Sequence, residues 1–118
     1  MTFEWKVAGD VHVLTPRKNL VGGEETVELV NAVERLVAGH GANIVLDLHR
    51  INWVSSLGIE TLRRIHRICT EQHGWMRLAG VGDRIESVLL TMRLHWVFQT
   101  FDTVEEALAA TGQRVANH

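Results

Sequence analysis

Cysteine and proline are almost absent, with one of each in 118 residues. The lone thiol, Cys69, cannot close an internal disulfide, which fits a reducing compartment. Sparse proline together with recurrent Val, Ile and Leu excludes a disordered tail protein. No stretch approaches the roughly 20 consecutive apolar residues of a membrane span. Glu4, Lys6 and Asp10 also interrupt the region where a secretory leader would need an unbroken apolar core. Charge of one sign is lacking too, because 12 Lys and Arg stand against 14 Asp and Glu, a formal net charge of -2. Such a surface carries no broad field for wrapping nucleic acid or docking on anionic lipid. The expectation is a soluble cytoplasmic protein with neither membrane insertion nor direct nucleic-acid binding.

Signatures of catalysis are missing as well. There is no G-x-x-x-x-G-K-[ST] run to cradle a phosphate. The segment Val54-Ser55-Ser56-Leu57-Gly58 lacks the first glycine of a G-x-S-x-G nucleophile elbow. His12, His40, His49, His66, His73, His95 and His118 show no zinc-site spacing, and one Cys supplies no cluster. No enzyme activity, metal or cofactor is expected.

The chain does carry two alternating hydrophobic periods. Phe3 to Ala8 and Val11 to Leu14 read as strands joined by a tight Gly9-Asp10 turn, hence an antiparallel pair. Glu24 and Glu25 open a helix in which Leu29, Val30, Val33, Leu36 and Val37 recur, with Gly39 or Gly41 as its stop. Ile44 to Leu48 is apolar apart from Asp47, the pattern of a central parallel strand covered on both faces. Ile59, Leu62, Ile65 and Cys69 mark a helix over Leu57 to His73, with Glu60 placed to pair with Arg64. Met76 to Val81 forms the next strand, parallel to its predecessor. Ile85, Val88, Leu89 and Met92 mark a third helix, Trp96-Val97-Phe98 a short last strand, and Thr103 to Ala110 a final helix. Thr103 and Glu106 have the spacing of a capping box, and Gly112 closes that helix. The result is one α/β domain over residues 1–112: a mixed four- to five-stranded sheet with about four helices, followed by a short polar tail at 113–118. Trp5, Trp53, Trp75 and Trp96 are expected mainly in the core, with a partly exposed interface anchor as the alternative for Trp53.

The loop Asn52 to Gly58 lies between the central strand and the second helix, where function collects in parallel α/β sheets. A hydroxyl at this helix start either caps the helix or accepts a phosphate held by the unpaired N–H groups there. Arg63, Arg64, Arg67 and His66 form a basic patch farther along, either a solvated face or a contact for an acidic partner.

Five segments in this order carry a family resemblance: Ile44 to Leu48, Ser55 to Ile59, Met76 to Val81, Val88-Leu89-Leu90 through Val97-Phe98, and Phe101-Asp102 with Glu105-Glu106-Ala107-Leu108. Together they resemble the STAS domain of bacterial anti-sigma factor antagonists over nearly the whole chain. The resemblance implies partner switching. An unphosphorylated domain binds an anti-sigma factor that is also a serine kinase, phosphorylation ends binding, and a phosphoserine phosphatase resets it. Carried onto this sequence, the acceptor serine is Ser56, Gly58 is the small residue after it, and Asp47 is the acidic residue of the strand. The family often has Asp just before the acceptor, where this chain has Ser55, so Ser55 is a second candidate. The implied partner face comprises Trp53, Ser55, Ser56, Leu57 and Gly58 with Asp47 and Arg63, on a monomer or weak dimer. Two other uses of the fold stay open: an unphosphorylated accessory subunit docked on the ATPase of a lipid-transport complex, and a scaffold module of a signalling assembly.

Overall fold

In the computed structural model, residues 2–110 are described. Strands β1 (Phe3–Ala8) and β2 (Val11–Pro16) lead to helix α1 (Glu24–His40), strand β3 (Asn43–Asp47) and helix α2 (Ser56–Glu71). Strand β4 (Trp75–Ala79), helix α3 (Asp83–Thr91), strand β5 (Gln99–Phe101) and helix α4 (Val104–Ala109) complete the described chain. The sheet has five strands in the order β1-β2-β3-β4-β5. The first pair is antiparallel and the other three pairs are parallel. This is the expected mixed sheet. The Gly9-Asp10 hairpin is there, with Gly9 at φ +65°, a conformation a two-residue turn needs and glycine supplies without strain.

Alternation along the strands sends two sets of side chains to opposite faces. Leu14, Ile44, Leu46, Met76 and Leu78 meet the apolar stripes of α1, α2 and α3, including Leu29, Val33, Ile59, Leu62, Ile65 and Leu89. On the other face Val11, Val13, Val45 and Ala79 are joined by Ala107 of α4. Arg77 lies on this second face, almost wholly buried. It stacks 3.7 Å from the Trp75 ring centroid and donates to the Ala107 and Ala110 carbonyl oxygens at 2.9 and 3.1 Å. Those carbonyls end α4, so the guanidinium fastens the helix to the sheet.

Three sequence expectations are corrected. The last strand is Gln99–Phe101, three residues beyond Trp96-Val97-Phe98. Arg93 at φ +59° turns the chain, and both Val97 and Phe98 donate to the Leu94 carbonyl, so the apolar triplet is a compact turn that plugs Phe98 into the core. Among the tryptophans expected inside, Trp96 is 82% exposed, Trp5 52% and Trp53 38%, while Trp75 is half-buried against Arg77. Glu60 pairs with Arg63 at 3.6 Å rather than with Arg64, which reaches across to Glu34 of α1 at 3.6 Å. At α4 the Thr103 hydroxyl accepts from Glu106 N–H, but the Glu106 carboxylate takes the N–H of Asp102. Gly112, the tail and His118 lie outside the described residues.

Candidate functional site

The three parallel connections β2–α1, β3–α2 and β4–α3 leave the sheet at one end, so their loops gather there. The first two are joined by a parallel bridge between Leu20 and Val54 and by Ser55 N–H donating to the Leu20 carbonyl at 3.0 Å. Asn19 and Asn52 add a reciprocal link, from Asn52 N–H to Asn19 Oδ1 at 3.1 Å and from Asn19 Nδ2 to Asn52 Oδ1 at 3.3 Å. Two glycines make this approach possible. A Cβ on Gly58 would sit 2.1 Å from the Leu20 oxygen, and one on Gly22, at φ +93°, would sit 2.5 Å from Leu57 Cδ1.

The two serines have separate tasks. Ser55 is the N-cap of α2, extended at φ -85° and ψ 178°, and its hydroxyl accepts from Gly58 N–H at 3.2 Å. Ser56, the first helical residue, is exposed, and its hydroxyl has no hydrogen-bond partner among the described residues. No acidic side chain occupies the first turn of α2, whereas α1 begins with Glu24 and Glu25. The first turn of α2 therefore supplies no carboxylate of its own to offset the helix's positive end.

Several apolar side chains are exposed near Ser56. Leu57 is 60% exposed, with Val21 and Val27 of the α1 entry also in solvent beside it. A cleft of 280 Å³ runs between α1 and α2, lined by apolar Val27, Val30 and Leu57 and by polar Thr26, Asn31, Glu60, Thr61 and Arg64. Trp53 is exposed on the other flank, with the Arg84 guanidinium 5.1 Å from its ring centroid. Burial costs the Glu25 carboxyl some of its charge stability, but N–H donations from Val21 and Gly23, at 2.7 and 3.0 Å, hold it below the usual range. That ionised Glu25 rigidifies the glycine pair at the α1 start.

The predicted residues thus divide. Trp53, Ser56 and Leu57 stand together on the surface, Ser55 caps behind them, and Gly58 is buried where it admits Leu20. Asp47 is mostly covered and accepts from His49 N–H, with His49 Nδ1 at 2.8 Å, beneath Gly80. Arg63 is seven residues along α2 from Ser56, about 10 Å of helix, and holds Glu60. Sequence reading passed over Val21, Val27 and Arg84. Only the Gly22-Gly23 break hinted that α1's entry would lie against α2.

The family model of the STAS domain matches residues 3–107. The chain belongs to the STAS domain family. No curated protein matches the sequence. Several solved structures share the fold. An anti-sigma factor antagonist from Mycobacterium paratuberculosis is 19% identical, with a TM-score of 0.79 over 95% of this chain and 94% of that one. The Bacillus cell fate determinant SpoIIAA in its phosphorylated form is 17% identical, with a TM-score of 0.72 over 90% and 96%. A sulfate transporter family protein from Wolinella succinogenes is 19% identical, with a TM-score of 0.75 over 88% and 86%. Among the described residues of this STAS domain, no helix is long and apolar enough to cross a membrane.

Proposed function

We propose that this STAS domain is a cytoplasmic anti-sigma factor antagonist, itself without catalytic activity, which is switched by phosphorylation of Ser56. The observation that carries this reading is the division between the two serines: Ser55 is engaged as the α2 cap, and Ser56 offers a free, exposed hydroxyl amid exposed apolar side chains. Unphosphorylated, the surface of Leu57, Val21, Val27 and Trp53 buries against an anti-sigma factor that is also a serine kinase, and so frees the sigma factor. The kinase transfers the γ-phosphoryl group of ATP to the Ser56 oxygen; the hydroxyl proton leaves and ADP is released. The new group carries about -1.5 to -2 charges at pH 7. Placed inside an apolar contact, it must be desolvated without a partner, which ends binding. Its own domain tolerates it, because the N-terminus of α2, with no carboxylate in its first turn, favours an anion. A phosphoserine phosphatase removes it. The structural likeness to an antagonist and to a phosphorylated STAS protein supports this reading.

Intact-mass and fragment mass spectrometry of the protein from its native host, in growth and under stress, tests the switch. One condition-dependent phosphate on Ser56 is expected, with Ser56→Ala retaining partner capture and Ser56→Asp losing it about tenfold or more. No phosphate in any condition, with a transporter ATPase as the captured partner, would refute the switch and leave the accessory-subunit reading.

A further inference from the structure

Among the described residues the sheet ends at β1, and no described strand pairs with its outer edge. In a two-residue hairpin the residues flanking the turn form a hydrogen-bonded pair, so Ala8, Lys6, Glu4 and Thr2 direct their N–H and C=O groups to β2. Two observations agree with this phase. Arg17 N–H donates to the Thr2 carbonyl at 2.8 Å, and Pro16, which has no N–H, stands opposite Phe3. Phe3, Trp5 and Val7 therefore present their N–H and C=O groups outward, toward whatever pairs with this edge.

We infer that this edge pairs with β1 of a second copy, antiparallel, about a two-fold axis through Trp5. The hydrogen-bonding phase requires outward residues to meet outward residues, which leaves three registers of good overlap. Placing Phe3 opposite Trp5 of the second copy sets Glu4 against Glu4. Placing Trp5 opposite Val7 of the second copy sets Lys6 against Lys6. Only the register between them sets each Glu4 opposite the other copy's Lys6, with Trp5 beside Trp5 and Phe3 beside Val7. Opposite charges directly across strands attract and like charges repel. Glu4 Oε2 is already held by Arg50 at 2.8 Å and Arg17 at 3.5 Å on its own copy, so repulsion between the two Lys6 side chains rejects one neighbouring register, and the Glu4–Lys6 attraction favours the middle register over the other.

The apolar side of the strand adds to the match. Trp5 and Val7 are 52% and 54% exposed, on the same side as a hollow of 420 Å³ lined by Trp5, Val7 and His12. Pairing covers both residues. The association is isologous and joins two five-stranded sheets into one. It uses neither Ser56 nor α2, so each copy keeps its partner face.

Sedimentation equilibrium of the unmodified protein from about 5 to about 500 μM is expected to show a reversible monomer to dimer transition. Lys6→Glu should weaken the dimer at least about tenfold, because both attractive pairs become repulsive. Lys6 is exposed, and its replacement should leave the circular dichroism and the melting curve in place. Single cysteines at Trp5 and Val7, which leave Glu4 and Lys6 in place, oxidised with diamide, give a second measurement in which only Trp5→Cys should cross-link rapidly between copies; native Cys69 is buried and silent. A monomer throughout, a dimer indifferent to Lys6→Glu, or faster cross-linking at Val7→Cys than at Trp5→Cys would overturn the inference.

Discussion

Gly58→Ala should destabilise this STAS domain although it places the best helix former in a helix. On propensity alone the change favours folding by about 1 kcal/mol. Against that gain stands geometry: the new Cβ would fall 2.1 Å from the Leu20 oxygen, 2.9 Å from its carbon and 3.1 Å from its Cβ. The two nearest are backbone atoms and the third is the Cβ fixed to that backbone, in a residue with no exposed surface, so no flexible side-chain end can swing away. Relief requires the β2–α1 segment to withdraw from α2, stretching the Ser55 N–H to Leu20 carbonyl bond and the Leu20–Val54 bridge. Overpacking of this kind costs about 1–3 kcal/mol, and loss of the hydrogen bond about 1 kcal/mol more. The net expectation is a loss of about 2 kcal/mol, or about 10 °C in melting temperature for a domain of this size. Urea unfolding followed by far-ultraviolet circular dichroism measures it. Gly39→Ala is the internal control, because Gly39 lies within α1 with nothing within 4 Å of its added Cβ. It should stabilise by about 0.5 kcal/mol. Equal shifts for the two variants, or a stabilised Gly58→Ala, would refute the argument that close approach of Leu20 selects this glycine.

Three further outcomes are expected. Ser55→Ala should cost about 1 kcal/mol through loss of the cap on Gly58 N–H, and Ser56→Ala almost nothing, in parallel urea titrations. Arg77→Met should cost about 3 kcal/mol by stranding the Ala107 and Ala110 carbonyls, Arg77→Lys should fail to restore it, and amide exchange should rise first in α4. Burial pushes the Cys69 thiol from 9.0 to about 12, so the unfolded chain ionises before the folded one does. Stability from this group is fully present below pH 9 and declines as pH rises toward 12, by at most about 1.4 kcal/mol per pH unit. The chain has no tyrosine to titrate in that range, and Cys69→Ala should remove this component of the slope.

Most of the architecture was legible because its signals are local. The Gly9-Asp10 turn, the apolar run around Val45 and the helical spacing of Ile59, Leu62, Ile65 and Cys69 each report their own element. The errors arose where tertiary contacts decide. Trp96-Val97-Phe98 has strand composition, yet only Phe98 is needed by the core, and the strand forms where Gln99 and Phe101 can lie beside Arg77 and Ala79. Arg64 finds Glu34 because α1 lies alongside α2, a neighbour that spacing within one helix cannot reveal. For the candidate site, the Ser55-Ser56 pair was readable, but the assignment of cap and free hydroxyl was not. Val21 and Val27 join the face only because two glycines let distant segments touch.

The replacement of the usual aspartate by Ser55 is consistent with a phosphoserine at the next position. Asp and Ser are comparably good N-caps, since either side-chain oxygen can take the N–H that Ser55 takes from Gly58. They differ in charge. An aspartate at 55 would already compensate the helix dipole and would repel a dianion one residue away, whereas Ser55 satisfies the same backbone donor and leaves the field of α2 intact. The chain therefore retains the cap that shapes the loop and gives up a carboxylate beside Ser56. Under the proposed switch, a serine at this position would favour the phosphorylated state of the domain itself, and any cost of lacking the aspartate would fall on the kinase's recognition of its acceptor.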